Sequence, residues 1–130
     1  MHGHYAPGRV QLRPSLLGDL QDAVAARKGP ASRFDFVFHG GSGSSSTEIS
    51  EAVRNGVVKM NIDTDTQYAY TRAVADHMFA HYNGVLKLDG AVGEKALYDP
   101  RAWGRKAEAA MAGRVVEACV QLGSIGRSIA

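Results

Sequence analysis

The order helix, strand, helix, strand, helix predicts an α/β fold whose strands run parallel and are joined by right-handed crossovers. Three observations carry this reading. Phe34, Phe36, Val37 and Phe38 form a nearly continuous apolar run of the kind that fills a strand buried on both faces. Val57 to Ile62 is a second such run, and it also ends in polar residues, Asp63-Thr64-Asp65-Thr66. Between the two lies a glycine and serine loop, Gly40 to Ser46, which opens the apolar helical pattern of Ile49, Ala52 and Val53. Sites in parallel α/β folds gather at the C-terminal ends of strands, so His39 to Ser42 and Asn61 to Thr64 are expected to face one common cavity.

Each element has its own punctuation. Met1 to Arg13 shows neither strand nor helix period and reads as loop. Pro14 and Ser15 open a helix whose apolar face is Leu16, Leu17, Leu20, Ala23 and Val24, and Gly29-Pro30 ends it. Ser45 and Glu48 have the spacing of a capping box for a helix running to about Asn55, with Gly56 as its C-terminal stop. The helix after Thr66 carries Tyr68, Ala69, Val74, Met78, Phe79 and Tyr82. Asn83 to Tyr98 is a glycine-punctuated excursion with little expected regular structure. Asp99 as cap and Pro100 at the first helical position begin the last helix. Its stripe is Trp103, Ala107, Met111, Val115, Ala118 and Leu122, and Gly123 closes it.

With 130 residues and 45% hydrophobic composition, the chain has the length of one domain and enough apolar residues for a core. Fifteen basic against thirteen acidic residues, without a basic block, point away from nucleic acid and from an anionic membrane. Cys119 has no partner cysteine and sits at an apolar helical position, which suits a reducing compartment. No apolar run approaches the ~20 residues of a membrane span, and the N-terminus lacks a hydrophobic signal core. The expected location is the cytoplasm.

The glycine loop is not a Walker loop, since no Gly-Lys-Ser/Thr follows, and Ser46 stands where Gly-x-Gly-x-x-Gly needs its third glycine. A helix N-terminus after such a loop still suits an anion, above all a phosphate. His39 alone is ordinarily a satisfied polar residue at a strand end. His77 and His81 lie four apart on one helix without a metalloprotease glutamate, and both read as surface histidines without a role. Asp63, Thr64 and Asp65 suit helix capping, while Trp103 and Met111 read as core.

Taken together, HGGSGS, VVKMNIDTDTQ, the opening His2-Gly3-x-Tyr5-x-Pro7-Gly8 and Tyr98-Asp99-Pro100-Arg101 resemble class II fructose-bisphosphate aldolase. They occur in that family's order and cover essentially the whole chain. The resemblance implies a (β/α)8 barrel and zinc-dependent cleavage of fructose 1,6-bisphosphate to dihydroxyacetone phosphate and glyceraldehyde 3-phosphate. It matches His2 and His39 to two zinc-ligating histidines, zinc acting as a Lewis acid on the ketone carbonyl. Gly3, Gly40, Gly41 and Ser42 match loops that hold the dihydroxyacetone phosphate end, with a monovalent cation, Na+ or K+. Asn61 matches a catalytic residue contacting the reacting oxygens, and Ile62, Asp63 and Thr64 match a second substrate-binding turn. Arg101 matches an arginine that a neighbouring subunit offers to the other phosphate.

Two departures accompany it. The family's barrel is more than twice as long, so roughly five of its eight β/α units, the other zinc ligands and the acid/base carboxylate are expected to lie outside this chain. Residues 1–82 then form barrel units, 83–98 the excursion and 99–122 the C-terminal helix of one incomplete barrel domain. Ala6 stands where relatives commonly carry lysine, which removes a positive charge near the phosphate. Such a chain is expected to associate, as a homodimer or with a complementing barrel fragment, and to be inactive alone. The alternative is a non-catalytic remnant that serves as a phosphate-binding or assembly module.

Overall fold

A computed structural model describes residues 12–86, 90 and 92–128. Its elements are α1 (Ser15–Lys28), β1 (Phe36–Phe38), α2 (Ser46–Arg54), β2 (Val57–Met60), α3 (Thr64–Ala80), α4 (Tyr82–Val85), α5 (Lys95–Tyr98) and α6 (Pro100–Gln121). The alternation expected for an α/β fold is present, with two strands among the described residues. Gly3, His4, Tyr5, Ala6, Pro7, Gly8 and His2 lie outside the described residues, as does Lys87. The chain divides into two compact units, one reaching to Thr64 and resuming at Ala118, the other running from Asp65 to Glu117.

In the first unit β1 and β2 pair in parallel, Phe36 opposite Val57, Val37 opposite Lys59 and Phe38 opposite Met60. The pairing continues past both strand ends: Phe36 N–H donates to the Gly56 carbonyl at 2.9 Å and Asn61 N–H to the Phe38 carbonyl at 2.9 Å. Ile49 and Ala52 of α2 and Val57 of β2 are buried and form the small core. The strand expected over Phe34 to Phe38 begins only at Phe36, because a side chain takes over the backbone of Phe34. Gln21, buried on α1, accepts from Phe34 N–H at 2.8 Å and donates to the Phe34 carbonyl at 2.8 Å and to the Asn55 carbonyl at 3.3 Å. One carboxamide thus gives Phe34 the two bonds a neighbouring strand would give. The Asn55 amide returns the tie by donating to the Pro14 carbonyl at 2.9 Å.

The expectation that β1 is buried on both faces fails. Val37 of β1 is 45% exposed, and Val58 of the paired β2 is 65% exposed. The expected apolar face of α1 is likewise half open at Leu16 and Leu20, while its buried residue is the polar Gln21. Two strands with helices packed on part of their surface cannot cover both sides of the sheet.

The predicted capping box is formed in full. Glu48 N–H donates to Ser45 Oγ at 3.2 Å, and Glu48 Oε2 accepts from both Ser45 N–H and the Ser45 hydroxyl at 2.8 Å. Gln121 donates from Nε2 to Ser46 Oγ at 3.3 Å.

In the second unit Arg114 of α6 pairs with Asp65 of α3 at 3.0 Å. His77 is buried, contrary to its reading as a surface residue. The ring is satisfied on both sides, Nε2 bonding the Leu97 carbonyl at 2.8 Å and Nδ1 the Lys106 ammonium at 3.2 Å. Its role is therefore to fasten α5 and α6 to α3. The excursion from Asn83 is more regular than expected: α4 and α5 occupy its two ends, and Glu94 N–H donates to the Gly84 carbonyl at 2.7 Å. Met111, assigned to the core, is exposed, whereas Ala107 on the same helix is buried. No helix among the described residues is long and apolar enough to cross a membrane.

Replacing Gln21 by Leu keeps the bulk and removes the partners of Phe34, so stability should fall by about 1–3 kcal/mol. The urea midpoint reads this, and an unchanged midpoint contradicts it. Glu48 supplies a pH signature. Its carboxyl is held below the ordinary range, first by the Ser45 N–H and then by the Ser45 hydroxyl. A lowered folded value means the stabilisation is complete above ~4.3 and is lost as pH falls below it. Wild type should melt above Glu48→Gln at pH ~7, with a gap that narrows as pH falls below ~4.3; a gap that does not change with pH would count against the box.

Candidate functional site

The candidate site is the polar edge where both strands end. The Phe38–Met60 register brings the next residues of each strand side by side, and Asn61 Nδ2 lies 3.0 Å from His39 Nδ1. With the amide donating, Nδ1 is the acceptor, so a metal held by this imidazole uses Nε2 or displaces the amide from Nδ1. The adjoining loop is drawn onto the same edge by Gly41 N–H, which donates to the Asn61 carbonyl at 3.0 Å.

Two glycines shape this edge in different ways. Gly40 has φ 73°, in the left-handed region that other residues seldom adopt. Gly41 is buried, and a Cβ on it would collide with Cγ and Sδ of Met60. The first lets the chain turn away from β1, and the second lets it close against the end of β2.

The expectation that the N-terminus of α2 receives an anion needs correction. The N–H groups of Ser45 and Glu48 are bonded to each other's side chains, and the Glu48 carboxylate lies at that helix end. Like charge there disfavours a phosphate at that helix end.

Ile62, Asp63 and Thr64 follow Asn61 directly, Ile62 half-buried and the other two exposed, with Thr64 opening α3. His39, Gly40, Gly41, Ser42 and Asn61 to Thr64 therefore belong to one unit, whereas Arg101 belongs to the other. Arg101 stands in the first turn of α6 and is clamped by Asp99. Sequence reasoning missed this pairing by treating Asp99 as a helix cap only. The signal available was the spacing Asp-Pro-Arg at a helix start, which brings the third side chain back over the first.

A concavity in the first unit lies away from this edge. A groove of about 200 Å³ is lined by Leu12, Pro14, Leu17, Phe36, Phe38 and Ala52 among others, and none of the selected site residues contributes to it. Its apolar lining fits packing rather than phosphate chemistry.

An exposed imidazole at a strand end has the donor chemistry that zinc takes. The fit is partial: no group of three or more His, Cys, Asp or Glu among the described residues is placed to hold a metal ion.

The Asn61 contact is directly testable. Asn61→Ala should move the Nδ1 resonance of His39 while leaving the backbone spectrum of β1 and β2 in place; an unmoved resonance would mean that the amide does not hold the ring.

Comparison with known proteins places these features in a family. A family model described as fructose-bisphosphate aldolase class-II matches residues 1–127. A fructose-bisphosphate aldolase of Streptomyces galbus is 66% identical over 99% of this chain and 38% of its own length. The namesake protein of Mycobacterium tuberculosis is 58% identical over the same shares. A crystal structure of fructose-bisphosphate aldolase from Campylobacter jejuni superposes with a TM-score of 0.83 at 37% identity, covering 98% of this chain and 39% of that one. The chain thus spans less than two-fifths of the length of these relatives, a share consistent with the C-terminal portion. On the match over residues 1–127, the chain belongs to the class-II fructose-bisphosphate aldolase family.

Proposed function

We propose that this chain supplies the C-terminal part of a (β/α)8 barrel that cleaves fructose 1,6-bisphosphate reversibly to dihydroxyacetone phosphate and glyceraldehyde 3-phosphate. The observation that supports this most directly is the His39–Asn61 junction, formed at the strand ends by residues lying inside the family match. In this reading residues 1–82 are barrel units, 83–98 an excursion and 99–122 the closing helix.

His39, together with His2, holds a zinc ion, whose chemistry when bound is to polarise the ketone carbonyl. The remaining steps belong to the chain's own groups. Asn61 orients the His39 ring and offers its amide to the oxygens of the substrate near the bond that breaks. Gly3, Gly40, Gly41 and Ser42 bring backbone N–H groups and a hydroxyl to the phosphate of the dihydroxyacetone end, beside a monovalent cation, Na+ or K+. Ile62, Asp63 and Thr64 form the second turn at the substrate. Arg101 reaches the other phosphate from a neighbouring copy in a dimer, where a guanidinium fork suits a phosphate oxygen pair.

Two imidazoles are fewer than the three protein ligands usual for catalytic zinc, so the 130-residue chain acts only together with the rest of a barrel. The sheet surface open at Phe34 and Val58 is the face that the rest would cover. The decisive experiment grafts this chain in place of the matching portion of the Streptomyces galbus relative. The chimera should cleave the bisphosphate in a zinc-dependent manner, and His39→Ala within it should cost on the order of a hundredfold or more. A folded chimera without activity would sink the enzyme reading and favour a non-catalytic phosphate-binding or assembly module.

A further inference from the structure

We propose that Asp99 is the positioning residue for Arg101, fixing the guanidinium so that its unspent edge meets a phosphate; this rests on the assignment of Arg101 to phosphate above. Asp99 Oδ1 accepts the Arg101 backbone N–H at 2.9 Å and Nε–H at 3.0 Å, and Oδ2 accepts Nη2–H at 2.6 Å and Nε–H at 3.2 Å. The carboxylate is mostly covered, its side chain 19% exposed, while the arginine side chain is 83% exposed. A long side chain that open to water ordinarily samples many rotamers, and an exposed pair adds little to stability. Here a covered carboxylate grips the Nε and Nη2 edge, so Nη1 and the second Nη2 proton remain as the fork for an anion.

The guanidinium holds the Asp99 carboxyl far below the usual carboxylate range. The grip therefore persists at any pH where a phosphate monoester is doubly charged. Asp99 also caps α6 through the Arg101 N–H, and asparagine caps a helix as well as aspartate does. Asp99→Asn accordingly removes the charged grip and spares the helix.

The inference is testable by its sign. If Asp99 acted only as a nearby negative charge, Asp99→Asn would strengthen phosphate binding. If it positions Arg101, the same change weakens binding about two- to tenfold, the ordering cost of one long side chain. The full 130-residue chain, ¹⁵N-labelled, is titrated with inorganic phosphate at fixed ionic strength while the Arg101 Nε–H signal is followed, assigned by its loss in Arg101→Lys. The expected result is a sharp, exchange-protected Nε–H signal that phosphate shifts, broadened in Asp99→Asn with weaker binding and largely restored in Asp99→Glu. Equal or tighter binding by Asp99→Asn overturns the positioning role while leaving Arg101 as the anion group. Unchanged binding in Arg101→Lys, or no response of the wild-type signal to phosphate, overturns the arginine assignment and this inference with it, without touching the zinc edge around His39.

Discussion

The parallel pairing of β1 with β2 is the constraint on which the candidate site depends. Its register places Phe38 opposite Met60, and from that one alignment the next residue of each strand, His39 and Asn61, arrives within 3.0 Å. A slip of one residue would send the two side chains to opposite faces and leave the imidazole without its amide. The loop is bound to the same alignment, because Gly41 N–H donates to the Asn61 carbonyl and a Cβ at Gly41 would displace the Met60 side chain. Fold and chemistry thus meet in a few backbone hydrogen bonds.

Around that edge, side chains do what further secondary structure does in larger sheets. Gln21 meets both backbone groups of Phe34, Asn55 ties the end of α2 to the start of α1, and Ser45 with Glu48 completes the helix end beside the glycine loop. These bonds are local and directional, and none of them buries much apolar area. Phe34, Val37 and Val58 accordingly remain open to solvent. The chain spans 38% of the length of these relatives.

The legible part of the molecule was the part written in local chemistry. Ser45 and Glu48 announce their capping box, Gly29-Pro30 and Gly56 mark where α1 and α2 stop, and Asp99-Pro100 starts α6 where the structure has it. That His39 and Asn61 share one edge followed from two polar strand ends in a parallel fold, whereas the hydrogen bond between them did not. What escaped depended on contacts between distant residues. Nothing in a window around Gln21 tells that its amide replaces a strand for Phe34, thirteen residues away. His77 read as solvated because its partners, Leu97 and Lys106, lie 20 and 29 residues along the chain. Burial on both faces of β1 was inferred from apolar composition, which records what a strand is made to meet rather than what this chain supplies.

The central claim, that the joined strand ends form the metal edge of an aldolase, meets its most direct test in crystals of the chain assembled with the remainder of a barrel, using anomalous diffraction at the zinc edge. The account predicts a peak about 2.0–2.1 Å from a ring nitrogen of His39, on the side of the sheet edge where Asn61 and the Gly40 to Ser42 loop converge. A zinc peak elsewhere in the barrel, with the His39 ring still bonded only to protein groups, would contradict it.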